Sequence, residues 1–146
     1  FKRDMTEVTS LFYSAVGACT NHSEYVSLCR KVLGATVLPD RVAVRSVRAS
    51  VFGSAQSRPG LAKLISEAQL ELDRELADGL DLAKKHGWVK PDLDSLTVAA
   101  WINGTVNGRI ILEMNPEAYS ESAWTATTIE AVLFVMGYVN DKPSWI

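Results

Sequence analysis

Residues 59–86 read PGLAKLISEAQLELDRELADGLDLAKKH. Within that run Leu61, Leu64, Ile65, Ala68, Leu72, Leu76, Gly79 and Ala83 recur at spacings of three and four, which lays one apolar stripe along a helix. Lys63 and Glu67, Arg74 and Asp78, and Asp81 and Lys85 stand four apart on the remaining surface, where opposite charges support a helix. Gly87 suits a left-handed helix cap, and Trp88 after it is placed to fold back on Ala83. A 28-residue amphipathic helix needs other elements to cover its stripe.

On both sides of it the chain supplies more helices. Asp4-Met5-Thr6-Glu7 has capping-box spacing and opens a first helix with Val8, Leu11, Phe12, Ala15 and Cys19 on one side, its end loosened by Gly17 and Asn21. Ser23 to Leu33 reads as a short second helix that buries Tyr25, Cys29, Val32 and Leu33, with Gly34 at the left-handed cap. Pro39-Asp40 opens a third, running to about Phe52, and the turn-forming residues from Gly53 to Gly60 read as a loop. After the long helix, Lys90-Pro91-Asp92-Leu93-Asp94 is a turn whose aspartates can accept from the free N–H groups of the next helix.

The charge density changes at that turn. Residues 58–94 hold fourteen acidic or basic side chains and residues 95–140 hold five, namely Arg109, Glu113, Glu117, Glu121 and Glu130. Helices so short of charge are normally buried on every side. Asn115-Pro116 divides this segment into helices over 95–114 and 120–139, close enough in sequence to lie antiparallel. Alternating Val/Ile/Thr segments bounded by Asn-Gly or Asp-Gly turns are missing, so the expected class is all-α, about six helices in a single domain over residues 1–146.

Fifteen basic residues against seventeen acidic ones leave a formal charge of −2, which gives no footprint for a phosphate backbone. Cys19 and Cys29 are too few for a disulfide framework and point to a reducing, cytoplasmic setting. No apolar run reaches the ~18 residues that cross a bilayer, and Phe1-Lys2-Arg3-Asp4 lacks a signal peptide's apolar stretch, so no membrane contact is expected. His22 and His86 are the only histidines, lie far apart, and belong to no metal or triad motif. With no glycine-rich phosphate loop, Cys-x-x-Cys or nucleophile elbow, the expectation is a non-enzyme that needs no cofactor and no metal.

The order of elements, with the stretch His86-Gly87-Trp88-Val89-Lys90-Pro91-Asp92-Leu93-Asp94 between a long charged helix and two apolar ones, resembles the C-terminal half of TetR-family transcription regulators over nearly the whole chain. The resemblance implies an effector-binding and dimerisation domain of a repressor released by a small hydrophobic or amphipathic ligand. In it, the last two helices pair with those of a second subunit in a four-helix bundle. DNA contact would come from an N-terminal helix-turn-helix, and residues 1–50 show no such module. The sparse charges favour a homodimer independently, because a symmetric partner covers two apolar helices more easily than four helices of one monomer can. The alternative reading is a stand-alone helical dimer that binds or carries a small hydrophobic molecule without DNA.

At 100° per residue Asn103 and Asn107 share one side of the penultimate helix with Ala100 and Ile111, while Trp101, Thr105 and Arg109 take roughly the opposite side. That opposite side, with Trp124, Thr128, Ala131 and Val135 of the last helix, is the expected dimer interface. Asn103 and Asn107 either meet a ligand's polar end or bond across to another helix or to water. Arg41, Arg45 and Arg48 form a stripe that is a solvated face, a site where Arg48 reaches an anionic ligand, or a set of salt bridges to the long helix. Phe12, Cys19, Phe52 and Leu64 are the apolar candidates for lining the ligand cavity, with ordinary core packing the competing role.

Overall fold

The computed structural model describes residues 11–37 and 39–146, and these described residues are 75% helical with little strand. The described part of α1 covers residues 11–18. It is followed by α2 (His22–Gly34), a 3-10 turn (Ala35–Val37), α3 (Pro39–Ala55), α4 (Pro59–Lys85), α5 (Ser95–Gly108), α6 (Ile110–Glu113) and α7 (Glu121–Met136). A two-residue antiparallel ribbon, β1 (Tyr138–Val139) with β2 (Lys142–Pro143), ends the chain. The class is all-α, as the helical periodicity requires. The capping box at Asp4 and the placement of Val8 lie outside the described residues.

The helix ends follow local chemistry. Asn21, read from sequence as the frayed end of α1, instead caps α2, accepting from the Glu24 N–H at 2.9 Å. Glu24 in turn accepts from the Thr20 N–H at 2.7 Å. Gly34 does not take the left-handed cap expected of it: α2 runs on through Ala35 into the 3-10 turn, with φ there at −69°. Nor is residues 53–60 a loop. α3 continues to Ala55 and α4 starts at Pro59, so the connection shrinks to residues 56–58. Proline at the first helical position costs no backbone bond, which lets α4 begin that early.

At the other end of α4 the sequence reading holds in detail. Gly87 has φ +79°, the Gly87 N–H bonds Lys84 O at 3.0 Å, and the Trp88 N–H bonds Ala83 O at 2.9 Å. Those two bonds satisfy the last carbonyls of α4 and fold Trp88 onto buried Ala83. Asp94 caps α5, accepting from the Thr97 N–H at 2.9 Å, and that bond holds its carboxyl below the usual range. Ser120 caps α7, and Gly137, at φ +110°, closes it.

α4 lies along α5, α2 along α7, and α3 bridges α4 and α6. The core gathers Val16 of α1, Tyr25, Cys29 and Leu33 of α2, Leu80 and Ala83 of α4, Ala99 and Ile102 of α5, and Val132, Leu133 and Met136 of α7. Each such aliphatic side chain contributes about 1.5–3 kcal/mol on leaving water. Only the second half of the α4 stripe joins this core: Leu72, Gly79 and Ala83 are buried, whereas Leu64 is 65% exposed. Tyr25 donates to Met136 Sδ at 3.1 Å, and Tyr138 donates to Trp88 O at 2.5 Å, so the two buried phenols reach partners across the helices. No helix among the described residues is long and apolar enough to cross a membrane.

A candidate ligand cleft and its buried polar seam

Where α3 ends against the first half of α4, a cleft of about 490 Å³ opens. Phe52 and Ala55 form its α3 wall, and Ala62, Ile65 and Leu70 its apolar α4 wall. Gln56 stands at the connecting turn, and Ser66, Gln69 and Asp73 bring polar groups to the floor. The helical row Ala62, Ser66, Gln69 and Asp73 repeats at four, three and four residues beside the apolar stripe, whose second half faces the core.

Asp73 is only 8% exposed. Its Oδ1 accepts from Gln69 Nε2 at 3.0 Å and from Asn103 Nδ2 of α5 at 2.7 Å. One turn on, Asn107 Oδ1 accepts from Arg48 Nη1 of α3 at 3.0 Å. The two asparagines thus line an edge of α5 and bond to α4 and α3, which answers the demand that a buried amide find partners. Farther along, Arg45 and Arg109 both face Glu113. Arg45 donates through Nε at 2.9 Å and also through Nη2, and Arg109 Nε lies 3.6 Å from the same carboxylate oxygen. Arg109 Nη1 also donates to Thr125 Oγ1 of α7 at 2.8 Å, while its Nη2 is buried without a hydrogen-bond partner.

This seam corrects the reading of the basic stripe as a solvated face: Arg45 is 3% exposed and pairs with Glu113 of α6, not with the long helix. Burial pushes the Arg48 guanidinium pKa down, and neighbouring Arg41 and Arg45 push the same way. Burial likewise lowers that of Arg109, helped by Arg45 and opposed by Glu121 and Glu113. Two arginines around one carboxylate leave a buried excess of positive charge at the α3–α6 end of the seam, opposite in sign to the Asp73 end.

Of the residues expected at a ligand site, Phe52 lines the cleft, Asn103 touches its floor through Asp73, and Arg48 and Asn107 sit next along the seam. Three do not meet there. Phe12 is buried against Gly79, where a Cβ would stand 2.6 Å from its ring, so it packs α1 on α4. The Cys19 thiol donates to Ala15 O at 3.3 Å at the edge of the core. Leu64 points to solvent because its row on α4 lies outside both neighbours. Gln69 and Asp73 were not singled out from sequence, although their spacing beside Ser66 was there to read.

Among residues expected at a dimer interface, Trp101 is exposed, and Thr105, Trp124, Thr128, Ala131 and Val135 are half-buried. Arg109 departs from them, at 2% exposed. Its N–H bonds Val106 O at 3.3 Å, three residues back, and this tighter turn between α5 and α6 swings the side chain inward, off the line of Trp101 and Thr105. The outermost row of α7 is Ala123, Thr127, Glu130 and Phe134, one residue away from the expected one. α5 contains no charged residue, and its exposed side presents Thr97, Ala100, Trp101 and Gly104.

Among the described residues no group of three or more His, Cys, Asp or Glu side chains is placed to hold a metal ion. Comparisons of the chain with protein-family models, with curated proteins and with solved structures find no match.

Proposed function

We propose that this chain is a ligand-binding and dimerisation module of the kind that TetR-family regulators carry, taking a small amphipathic molecule in the α3–α4 cleft and a second copy of itself on α5 and α7. The observation that supports it is the position of α5. One edge of this helix reaches the floor of the cleft through Asn103, and its neighbouring exposed side is a charge-free strip around Ala100, Trp101 and Gly104. A ligand that shifts Asp73 or Asn103 therefore acts on the helix that would meet the partner. Coupling of this kind requires that the ligand bind two arrangements of the dimer with unequal affinity. In the regulator reading, DNA contact belongs to a separate N-terminal module, the ligand releases a repressor, and the setting is the cytoplasm.

The test is the oligomeric state with and without a substitution on the strip. Wild type sediments as a dimer at micromolar concentration, and Ala100→Asp, on an exposed position, sediments as a monomer with unchanged helicity. A wild-type chain that stays monomeric at tens of micromolar removes the dimer and with it the regulator reading.

A further inference from the structure

We propose that the α3–α4 cleft selects an organic cation, a protonated amine or quaternary ammonium group carried on an apolar body. The inference rests on the reading of the cleft as a ligand site and adds the sign of the ligand's charge. A buried carboxylate normally has a cation beside it, because neutral donors offset only part of the cost of removing the charge from water. Asp73 is buried at the cleft floor, and both donors to it, Gln69 and Asn103, are neutral amides that converge on one oxygen. Among the described residues no ion pair includes it.

The seam has cations, and they are committed elsewhere. Arg45 and Arg109 share Glu113, and Arg48 donates to Asn107 while its surroundings, Arg41 and Arg45, are themselves basic. The counter-charge for Asp73 is thus left to whatever fills the cleft. The rest of the wall fits the body of such a ligand: Ile65, Leu70 and Ala55 offer apolar surface, and Phe52 adds an aromatic side chain of the type that attracts cations. An anion would meet the Asp73 carboxylate with only neutral donors among the lining residues, such as Gln56 and Ser66, to offset the repulsion.

Calorimetry with three probes that share one apolar body separates the possibilities: 4-phenylbutylamine, 4-phenylbutanol and 4-phenylbutanoate, at pH 7. The amine binds at least tenfold tighter than the alcohol, the carboxylate binds weakest, and Asp73→Asn brings the amine to within about twofold of the alcohol, whose own affinity is unchanged. Equal affinity for amine and alcohol, or an amine preference that survives Asp73→Asn, overturns the charge inference while the cleft remains a ligand site. Binding of none of the three overturns both. The wild-type series decides by itself should Asp73→Asn fail to fold, and a loss of the amine preference in 0.5 M salt against 0.05 M salt would point to a surface site and also overturn the inference.

Discussion

Glu113→Gln is expected to destabilise the fold by about 3 kcal/mol. Among the described residues Glu113 is the one carboxylate in hydrogen-bond or ion-pair contact with Arg45 and Arg109, and those side chains are 3% and 2% exposed, so water screens little of the charge that remains. Removing one partner of a buried ion pair costs about 3–5 kcal/mol. Glutamine keeps an oxygen for Arg45 Nε, which places the loss at the lower end of that range. The assay is urea unfolding followed by circular dichroism. At about 2 kcal/mol per molar of urea, the midpoint falls by roughly 1.5 M with little change of slope. A triple replacement, Arg45→Met with Arg109→Met and Glu113→Leu, recovers stability to within about 1 kcal/mol of wild type, because it removes the charges together with their desolvation cost. A loss under about 1 kcal/mol for Glu113→Gln would refute the reasoning, since that is the worth of an exposed pair.

Three further outcomes are expected. Gly137→Ala loses about 2–4 kcal/mol in the same assay, because φ +110° disfavours any side chain and a Cβ there would stand 2.5 Å from the Trp145 ring; adding Trp145→Ala recovers the steric part only. Gly53→Ala gains about 0.5–1 kcal/mol, since the residue is helical with nothing within 4 Å of a new Cβ; a loss there would mean that α3 ends earlier. Burial pushes the Cys29 thiol up from 9.0 to about 12, and raises Tyr25 and Tyr138 as well. The folded state holds the neutral forms, so the Cys29 contribution is complete below pH 9 and is lost as pH climbs from 9 towards 12, while that of the two tyrosines is complete below pH 10 and is lost at higher pH. Stability measured against pH is therefore flat near neutrality and falls above 9, with a shallower fall in Cys29→Ala.

The helical class and the α4 cap were legible because each depends on neighbours in sequence: the 3-4 spacing up to Ala83, glycine at 87, an aspartate before Ser95. The ribbon at 138–143 was not, because its turn uses Asn140 and Asp141 at positive φ and its strands are two residues long. The cleft was half legible. Phe52 and Asn103 stood out as an aromatic and an amide in apolar surroundings. Asp73 did not, since an acidic residue on a charged helix reads as solvent-facing until α3 is known to cover that row. The arginine stripe misled for the same reason. Whether Arg45 meets water or Glu113 depends on a contact 68 residues away, which no periodicity encodes.

The Tyr25 contact with Met136 and the Arg30 contact with Asp141 each close a loop of 111 residues. Contacts of that separation carry a loop-closure cost that contacts within one helix do not. The first half of the chain leaves the ribosome with Tyr25, Cys29 and Leu33 awaiting Leu133 and Met136. Until synthesis reaches Trp145, which stacks edge-on against Tyr138, the nascent domain exposes that apolar face. The core around Tyr25 is thus closed only once the segment from Leu133 to Trp145 is available to pack against α2.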